Sequence, residues 1–200
     1  MPLLPPEVFV WPEELLVQPL PAGETGRWWA LHSRPRAEKT LARHFLGRGL
    51  SFFLPLAKKR WRNRGRLFTS TSPLFPGYIF LWGDDEARVS ALTTNQVAQC
   101  IRVEDQPQLH QDLARIHQLM VSGEPLTPEE RIQPGDWVEI TTGPLQGLQG
   151  KIIRRGKHLR FFVEVHFLQR GASVEIDGSM IRPADAPSDS SHRSCSRPSG

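Results

Sequence analysis

The segment from residue 73 to residue 82 constrains the fold more than any other part of this 200-residue chain. Its sequence is Pro-Leu-Phe-Pro-Gly-Tyr-Ile-Phe-Leu-Trp, in which two prolines and a glycine lead into a strand. Successive side chains of a strand point to opposite faces, so aromatic residues share one face and aliphatic residues the other: Tyr78, Phe80 and Trp82 against Ile79 and Leu81. Both faces are apolar and need cover, which predicts a layered domain.

Two arrangements satisfy this strand. In the first, helices cover both faces and every aromatic residue belongs to the core, since fully buried strands are continuous apolar runs. In the second, helices cover only the aliphatic face, and the aromatic face is an exposed patch of the kind that marks a partner site. The pattern alone leaves both open.

Strand and helix patterns alternate through residues 27–121. Short aromatic or β-branched runs predict strands at 28–32, 51–55, 78–82 and 100–103. Apolar residues at helical spacing predict helices at 36–48, 84–92 and 109–120, with Asp84 as an N-cap. This segment is therefore predicted to be an α+β domain.

The remaining segments differ in composition. Residues 122–133 contain prolines and a glycine and are predicted to be a linker, and residues 134–183 contain five short strand patterns with turn residues, which predict a small all-β barrel. Residues 1–26 are rich in proline, and residues 184–200 are rich in serine and proline. Both end segments are predicted to be disordered.

Charge is distributed unevenly. The chain carries a net charge of +4, yet residues 39–83 contain nine basic residues and no acidic one. Most of the basic residues surround a predicted hairpin turn at 63–65, and alternation would place most of them on one face: Lys58, Lys59, Arg60, Arg62, Arg64 and Arg66. A basic hairpin favours contact with nucleic acid, although a merely solvated charged surface has the same composition.

The motifs of enzymes are missing. The glycines between Gly143 and Lys151 lack the spacing and the hydroxyl residue of a phosphate-binding loop, so turns are the better interpretation. His110 and His117 lie two helical turns apart with no third ligand, which predicts a solvated helix face and no metal site. Neither a nucleophile motif nor a cofactor motif is present, so we expect a protein without catalytic activity or cofactors.

Three features of the sequence predict the cellular compartment of the protein. Only two cysteines occur, far apart at Cys100 and Cys195, which argues against a disulfide framework. The N-terminus lacks the pattern of a secretion signal, and no apolar run is long enough to cross a membrane. A cytoplasmic protein is expected.

Two motifs together resemble the NusG family of transcription elongation factors. The opening Trp28-Trp29-Ala30-Leu31 and the segment 73–80 are similar to its NGN domain. The Gly-Asp-x-Val … Gly-Pro-x-x-Gly-x-x-Gly run is similar to its KOW motif, with these residues at the motif positions: Gly143, Pro144, Gly147 and Gly150. The resemblance implies an antiparallel NGN sheet flanked by helices over residues 27–121, a linker at 122–133 and an SH3-like KOW barrel at 134–183.

The resemblance also implies partners and contact residues. Members of this family bind the β′ clamp helices and the β gate loop of bacterial RNA polymerase, suppress pausing or termination, and recruit a small-subunit ribosomal protein or Rho through the KOW domain. By motif position, the clamp-helix site comprises His32, Phe75, Tyr78, Phe80, Cys100 and Ile101. A gate-loop contact falls at Ser90, Thr93 and Thr94. We expect a monomer whose hairpin lies near upstream or non-template DNA.

Two further points concern the branch of the family that the chain resembles and an alternative function. The run Arg88-x-x-Ala91-Leu92-x-Thr94 is similar to specialised, RfaH-like paralogues, in one of which the C-terminal domain refolds into helices. The β-branched residues of 134–183 favour a stable barrel here. A ribosome-binding or RNA-binding KOW protein is the alternative, but such a protein has no need of the NGN-like segment.

Overall fold

The computed structural model describes residues 7–20, 26–63, 66–131, 135–155 and 157–186, with side chains described in these ranges except at 59–63, 66–69 and 155. The first part of the chain contains, in order, β1 (Val10–Trp11), a 3₁₀ turn (Glu13–Leu16), β2 (Arg27–Ser33), α1 (Glu38–Gly47), β3 (Ser51–Phe53), β4 (Leu56–Asn63), β5 (Arg66–Pro73), β6 (Tyr78–Gly83), α2 (Asp85–Leu92), β7 (Val97–Arg102) and α3 (Gln106–Val121). The second part contains β8 (Thr127–Glu129), β9 (Asp136–Ile140), β10 (Gln149–Arg155), β11 (His158–Val165), a 3₁₀ turn (His166–Leu168), β12 (Arg170–Ile176), a 3₁₀ turn (Gly178–Met180) and β13 (Ile181–Pro183). Among the helices of these ranges, none is long and apolar enough to span a membrane.

An antiparallel five-stranded sheet forms the centre of the first part, with the strand order β1-β3-β6-β2-β7. The apolar strand β6 lies in its middle, hydrogen-bonded to β3 on one side and β2 on the other. Its aliphatic face packs with α1 through Leu41 and Phe45. Its aromatic face packs with α3 through Leu113 and Ile116. The predicted α+β fold with an antiparallel sheet and three helices is confirmed.

Side-chain hydrogen bonds fix the starts of α2 and α3. Asp84 accepts a hydrogen bond of 2.9 Å from the backbone N–H of Ala87 at the start of α2, as its sequence position predicted. At the start of α3, the Gln106 amide oxygen accepts from the backbone N–H of Trp28 at 2.6 Å, and its Nε2 donates to the Trp28 carbonyl at 3.1 Å. This pair of bonds fixes α3 against β2, the strand next to β6.

The second part contains a six-stranded antiparallel sheet with the order β13-β9-β10-β11-β12-β8. Strands form at the first four predicted places, because β-branched and aromatic residues occur there and the intervening glycines turn the chain. The fifth, expected at 179–181, begins only at Ile181, after the 3₁₀ turn Gly178–Met180. Its strand β11 packs against α3. Closure of this sheet into a KOW barrel remains a prediction.

The predicted linker at 122–133 is wrong for residues 127–129, which form β8 and pair with β12. The physical reason is polar bonding across the sheet. Ser173 donates its hydroxyl to Glu129 at 2.6 Å, and Arg160 donates from Nη2 to the Thr127 hydroxyl at 2.7 Å. These long-range bonds outweigh the local effect of Pro128.

The prediction of a disordered arm is wrong for residues 7–20. Val10 and Trp11 pair with Phe53 and Phe52, so β1 extends the sheet at an edge, where neighbouring prolines are tolerated. Leu16 is buried in the turn that follows. The rest of the two predicted disordered segments lies outside the described residues, except Gly26 and residues 184–186.

The helix α3 holds this arm in place, so the predicted solvated histidine face is also wrong. Trp28 donates from Nε1 to Nδ1 of His110 at 3.3 Å, and Nε2 of His110 lies 2.9 Å from the Gln18 carbonyl. The rings of His117 and Phe9 lie 6.0 Å apart. Burial lowers the pKa of both histidines, which keeps them uncharged beneath the arm.

Candidate partner-binding face

A row of three polar-tipped side chains crosses the α3-facing side of the sheet, beyond the part that α3 covers. His32 in β2 pairs with Tyr78 in β6 and with Gln99 in β7. Cross-strand partners lie side by side on one face, and the His32 and Tyr78 rings meet edge to face with centroids 5.1 Å apart. Gln99 is exposed and the two rings are half-buried, so the row is accessible. We name His32, Tyr78 and Gln99 the polar row.

A second row lies directly behind the polar row. It consists of Phe80, Ala30 and Ile101. Phe80 and Ala30 are completely buried, whereas Ile101 is half-buried and borders the polar row. The accessible face therefore combines aromatic, polar and aliphatic groups.

The prediction that Phe75 and Phe80 contact a partner directly is wrong. Their side chains are 1% and 0% exposed, and they belong to the same buried cluster as Leu113 and Ile116 of α3. The reason is that α3 supplies the cover that the aromatic face of β6 requires. Of the two arrangements open from the sequence, burial applies at Phe80 and accessibility at Tyr78.

Cys100 does not share this face either. It follows Gln99 and precedes Ile101 in β7, so strand alternation turns it toward the cluster formed by α1 and α2. Burial raises the pKa of its thiol, although Arg88 acts in the opposite direction. Cys100 is thus a protonated packing residue, and Gln99 takes the accessible place that the sequence analysis missed. The register between β2 and β7 places Gln99 beside His32, and knowledge of that register would have identified Gln99 as a residue of this face.

The predicted gate-loop residues Ser90, Thr93 and Thr94 lie together at the end of α2. Arg48 donates from Nη1 to the Ser90 carbonyl at 2.5 Å and to the Thr93 hydroxyl at 3.0 Å. Thr94 donates its hydroxyl to the Ala91 carbonyl at 2.7 Å. The helix α2 packs on the opposite side of the sheet from α3, so this cluster and the polar row occupy different faces.

The basic segment forms the predicted hairpin. Strands β4 and β5 pair from Leu56 with Pro73 to Asn63 with Arg66. Lys39 of α1 donates to the Thr71 carbonyl at 2.7 Å and anchors the base of this hairpin. Lys58 is exposed. The side chains of Lys59, Arg60, Arg62 and Arg66, and the whole of Arg64, lie outside the described residues, so their proximity to nucleic acid stays a prediction.

The glycines of the KOW-like motif adopt turn geometry. Gly143 and Gly147 have positive φ angles of 88° and 83°, which side chains disfavour. The Gly147 N–H donates to the Ile140 carbonyl at 2.8 Å and closes the loop before β10. A Cβ atom on Gly150 would lie 2.6 Å from the Phe162 carbonyl oxygen. Together with Pro144, these residues are explained by the backbone path, as the turn interpretation predicted.

A buried polar network joins α3 to the second sheet. Asp112 is 0% exposed and accepts from the backbone N–H of His166 at 2.9 Å. Nδ1 of His166 lies 3.0 Å from the same carboxylate, and Gln108 donates to it at 2.8 Å. Asp112 lies on the apolar face of α3, between Leu109 and Ile116. An acidic residue in that position was the available signal for a buried polar contact.

The network continues into the second sheet. Nε2 of His166 lies 2.5 Å from Glu164, which also pairs with Lys151 at 2.9 Å. Hydrogen bonds to Asp112 and Glu164 raise the pKa of His166 to about 10. Burial acts to raise the pKa of Glu164, but bonds from His166 and Lys151 outweigh it and lower that pKa. The interface is thus an ionic network of alternating charges. Within the described ranges, this network included, no group of three or more potential ligands could hold a metal ion.

Comparison with known proteins covers the first sheet. Residues 26–118 match a family model described as "NusG: Transcription termination factor nusG". This match extends from just before β2 into α3, so it includes the whole polar row. It covers a little under half of the chain. Residues 26–118 are therefore similar to the NusG family in sequence and carry its expected α+β fold.

A solved structure also aligns with the chain. "Crystal Structure of MjSpt4:Spt5 complex conformation B" covers 81% of this chain and 99% of its own, with 16% sequence identity and a TM-score of 0.26. No curated protein matches the chain.

Proposed function

We propose that this protein is a transcription elongation factor that binds RNA polymerase through its first sheet. The observation that carries the proposal is the NusG family match over residues 26–118, because those residues build the polar row and the helices around it. Suppression of pausing or termination, in the manner of specialised RfaH-like paralogues, is part of the proposal. We further propose that it acts in the cytoplasm, as a monomer and without catalytic activity.

The proposed contact for the β′ clamp helices is the polar row together with Ile101. Burial of an aromatic side chain in an interface contributes about 1.5–3 kcal/mol, and central aromatic residues are frequent hot spots. Tyr78 also offers a hydroxyl, and His32 and Gln99 offer further hydrogen-bonding groups. Such a surface suits a helix that carries both apolar and polar side chains.

The first prediction tests this contact. Replacing Tyr78 with Ala should weaken binding to a clamp-helix peptide about tenfold or more, because the variant lacks the larger of the two rings in the row. Titration of the peptide into the labelled full chain, with circular dichroism to verify folding, measures the effect. Glu104→Ala, an exposed change in the loop after β7, is the matched control. Unchanged affinity in folded Tyr78→Ala protein would refute the assignment.

We propose two further contacts, one at the end of α2 and one on the second sheet. Ser90, Thr93 and Thr94 at the end of α2 are proposed to meet the β gate loop, on a face separate from the polar row. The second sheet is proposed to recruit a small-subunit ribosomal protein or Rho. Co-purification of the full chain with polymerase rather than with ribosomes would support this function over the ribosome-binding alternative.

A further inference from the structure

The turn that leads into the polar row is held by backbone bonds on both sides. Gly77 precedes Tyr78 and has a positive φ angle of 84°. Its carbonyl accepts from the Ser33 N–H at 2.7 Å, and its own N–H donates to Oε1 of Glu38 at 2.8 Å. Gly77 is therefore fixed to β2 through one group and to α1 through the other.

Glu38 is unusual for an acidic residue. It stands in the first turn of α1 and is only 7% exposed, although acidic side chains are rarely buried without a partner. Its carboxylate accepts a hydrogen bond from the backbone N–H of Gly77, which lies in a turn 39 residues away. A carboxylate that accepts a backbone N–H makes a strong, directional bond, which suits it to setting the position of a turn.

The position of this turn determines the geometry of the row. A Cβ atom on Gly77 would lie 2.9 Å from Nε2 of His32, so the turn is in close contact with the His32 ring. That ring meets Tyr78 edge to face. A shift of Gly77 would consequently alter both neighbours at once.

We propose that Glu38 is a positioning residue for the polar row, which holds the Tyr78 ring against His32 by fixing the Gly77 N–H. This inference depends on the proposed function only for the identity of the partner that the polar row binds. Removal of the acceptor leaves the half-buried Gly77 N–H without its partner, and an N–H shielded from water without an acceptor is unfavourable. The turn then moves toward water, and glycine offers little resistance because many backbone conformations are open to it.

The chain itself provides a reporter for this position. It contains one tyrosine, so protein made with 3-fluorotyrosine has a single ¹⁹F resonance, which reports on the Tyr78 ring. His32→Ala protein shows how far that resonance moves when the neighbouring ring is removed. The measurement uses the full chain and needs no partner.

Three variants separate positioning from general packing. Glu38→Gln keeps an oxygen at Oε1, Glu38→Ala removes it, and Thr40→Ala changes an exposed residue of the same helix. We expect Glu38→Gln and Thr40→Ala to keep the parent resonance. Glu38→Ala should shift it toward the position seen in His32→Ala. A parent-like resonance in folded Glu38→Ala protein would overturn the proposal.

If Glu38→Ala fails to fold, Glu38→Asp decides, because its carboxylate is one methylene shorter and cannot reach Gly77 equally well. An intermediate shift supports the proposal, and a parent resonance in folded Glu38→Asp protein overturns it. Affinity for the clamp-helix peptide gives the second readout. Glu38→Ala, or Glu38→Asp in its place, should weaken binding of the clamp-helix peptide about fivefold. Glu38→Gln should bind the peptide with the affinity of the parent. If the parent does not bind the peptide at all, the proposed function fails, while the ¹⁹F measurement still decides the role of Glu38.

Discussion

Two residues of β6 that point to the same face of the sheet lie in different environments. Phe80 is completely buried against α3, while Tyr78, two positions earlier, reaches the accessible polar row. The two side chains point to the same face, so the strand pattern assigns them the same environment. What separates them is the limited extent of α3, which covers one and leaves the other accessible.

The second prediction follows at this residue scale. Phe80→Ala should lower the free energy of unfolding by about 3–5 kcal/mol, because it removes a buried ring and leaves a cavity. Tyr78→Ala should cost much less, since that ring is half-buried. Urea denaturation monitored by circular dichroism measures both. Equal losses of stability in the two variants would contradict the assignment of Phe80 to the core and Tyr78 to the surface.

At the scale of elements, the basic hairpin combines regular strand pairing with a dense positive charge. Its two strands pair along their whole described length, and Lys39 anchors its base. The segment is rich in lysine and arginine. Paired strands that carry a dense positive charge form a stable surface that can contact phosphate groups.

The third prediction concerns this hairpin. Replacement of Arg60, Arg62 and Arg64 with Gln should weaken binding to single-stranded DNA and flatten its salt dependence, by about one unit of slope for each phosphate group that the variant no longer binds. Clamp-helix affinity should stay the same, because the polar row is formed by other strands. Fluorescence anisotropy over a range of salt concentrations tests this. Equal DNA affinity of parent and variant at low and moderate salt would mean that the charges are only solvated.

Elements were predictable from the sequence where local pattern determines them. Strands β2, β6 and β9–β12 and all three helices lie where periodicity and capping residues indicated, whereas β13 begins two residues later than predicted. In contrast, β1 and β8 were missed, because each is very short and exists through pairing with a distant strand. The polar row was only partly predictable for a similar reason. Motif position indicated His32 and Tyr78, but Gln99 depends on the register between two strands, and the burial of Phe75 on how α3 packs.

At the scale of the whole molecule, the ionic network between α3 and the second sheet joins the two halves of the chain. Asp112 contributes a buried carboxylate from one half, and His166 contributes an imidazole from the other. Buried groups of this kind favour one relative placement, because hydrogen bonds are directional while apolar contacts are not. Removal of the His166 imidazole would leave the buried Asp112 carboxylate without its nearest charged partner, although Gln108 still donates to it.

The fourth prediction is a pH dependence of stability. The pKa of His166 is raised to about 10, above its ordinary value near 6.5. Its protonated form is therefore bound more tightly in the folded state, and its stabilising effect is complete below 6.5 and is lost as pH rises through 10. We expect parent protein to have a higher Tm than His166→Gln at pH 6, with the difference diminishing toward pH 10. A difference that stays constant over this range would contradict the charged state of His166.

The arm formed by residues 7–20 has a consequence for the order in which the chain assembles. It is synthesised before the residues that it contacts: Gln18 meets His110, 92 positions away, and β1 pairs with β3. Contacts between distant parts of a chain form slowly, since a long loop must close before they are made. The arm is thus among the last parts of the sheet to reach its final place, and a nascent chain that ends before α3 holds it through β3 but lacks the contact with His110.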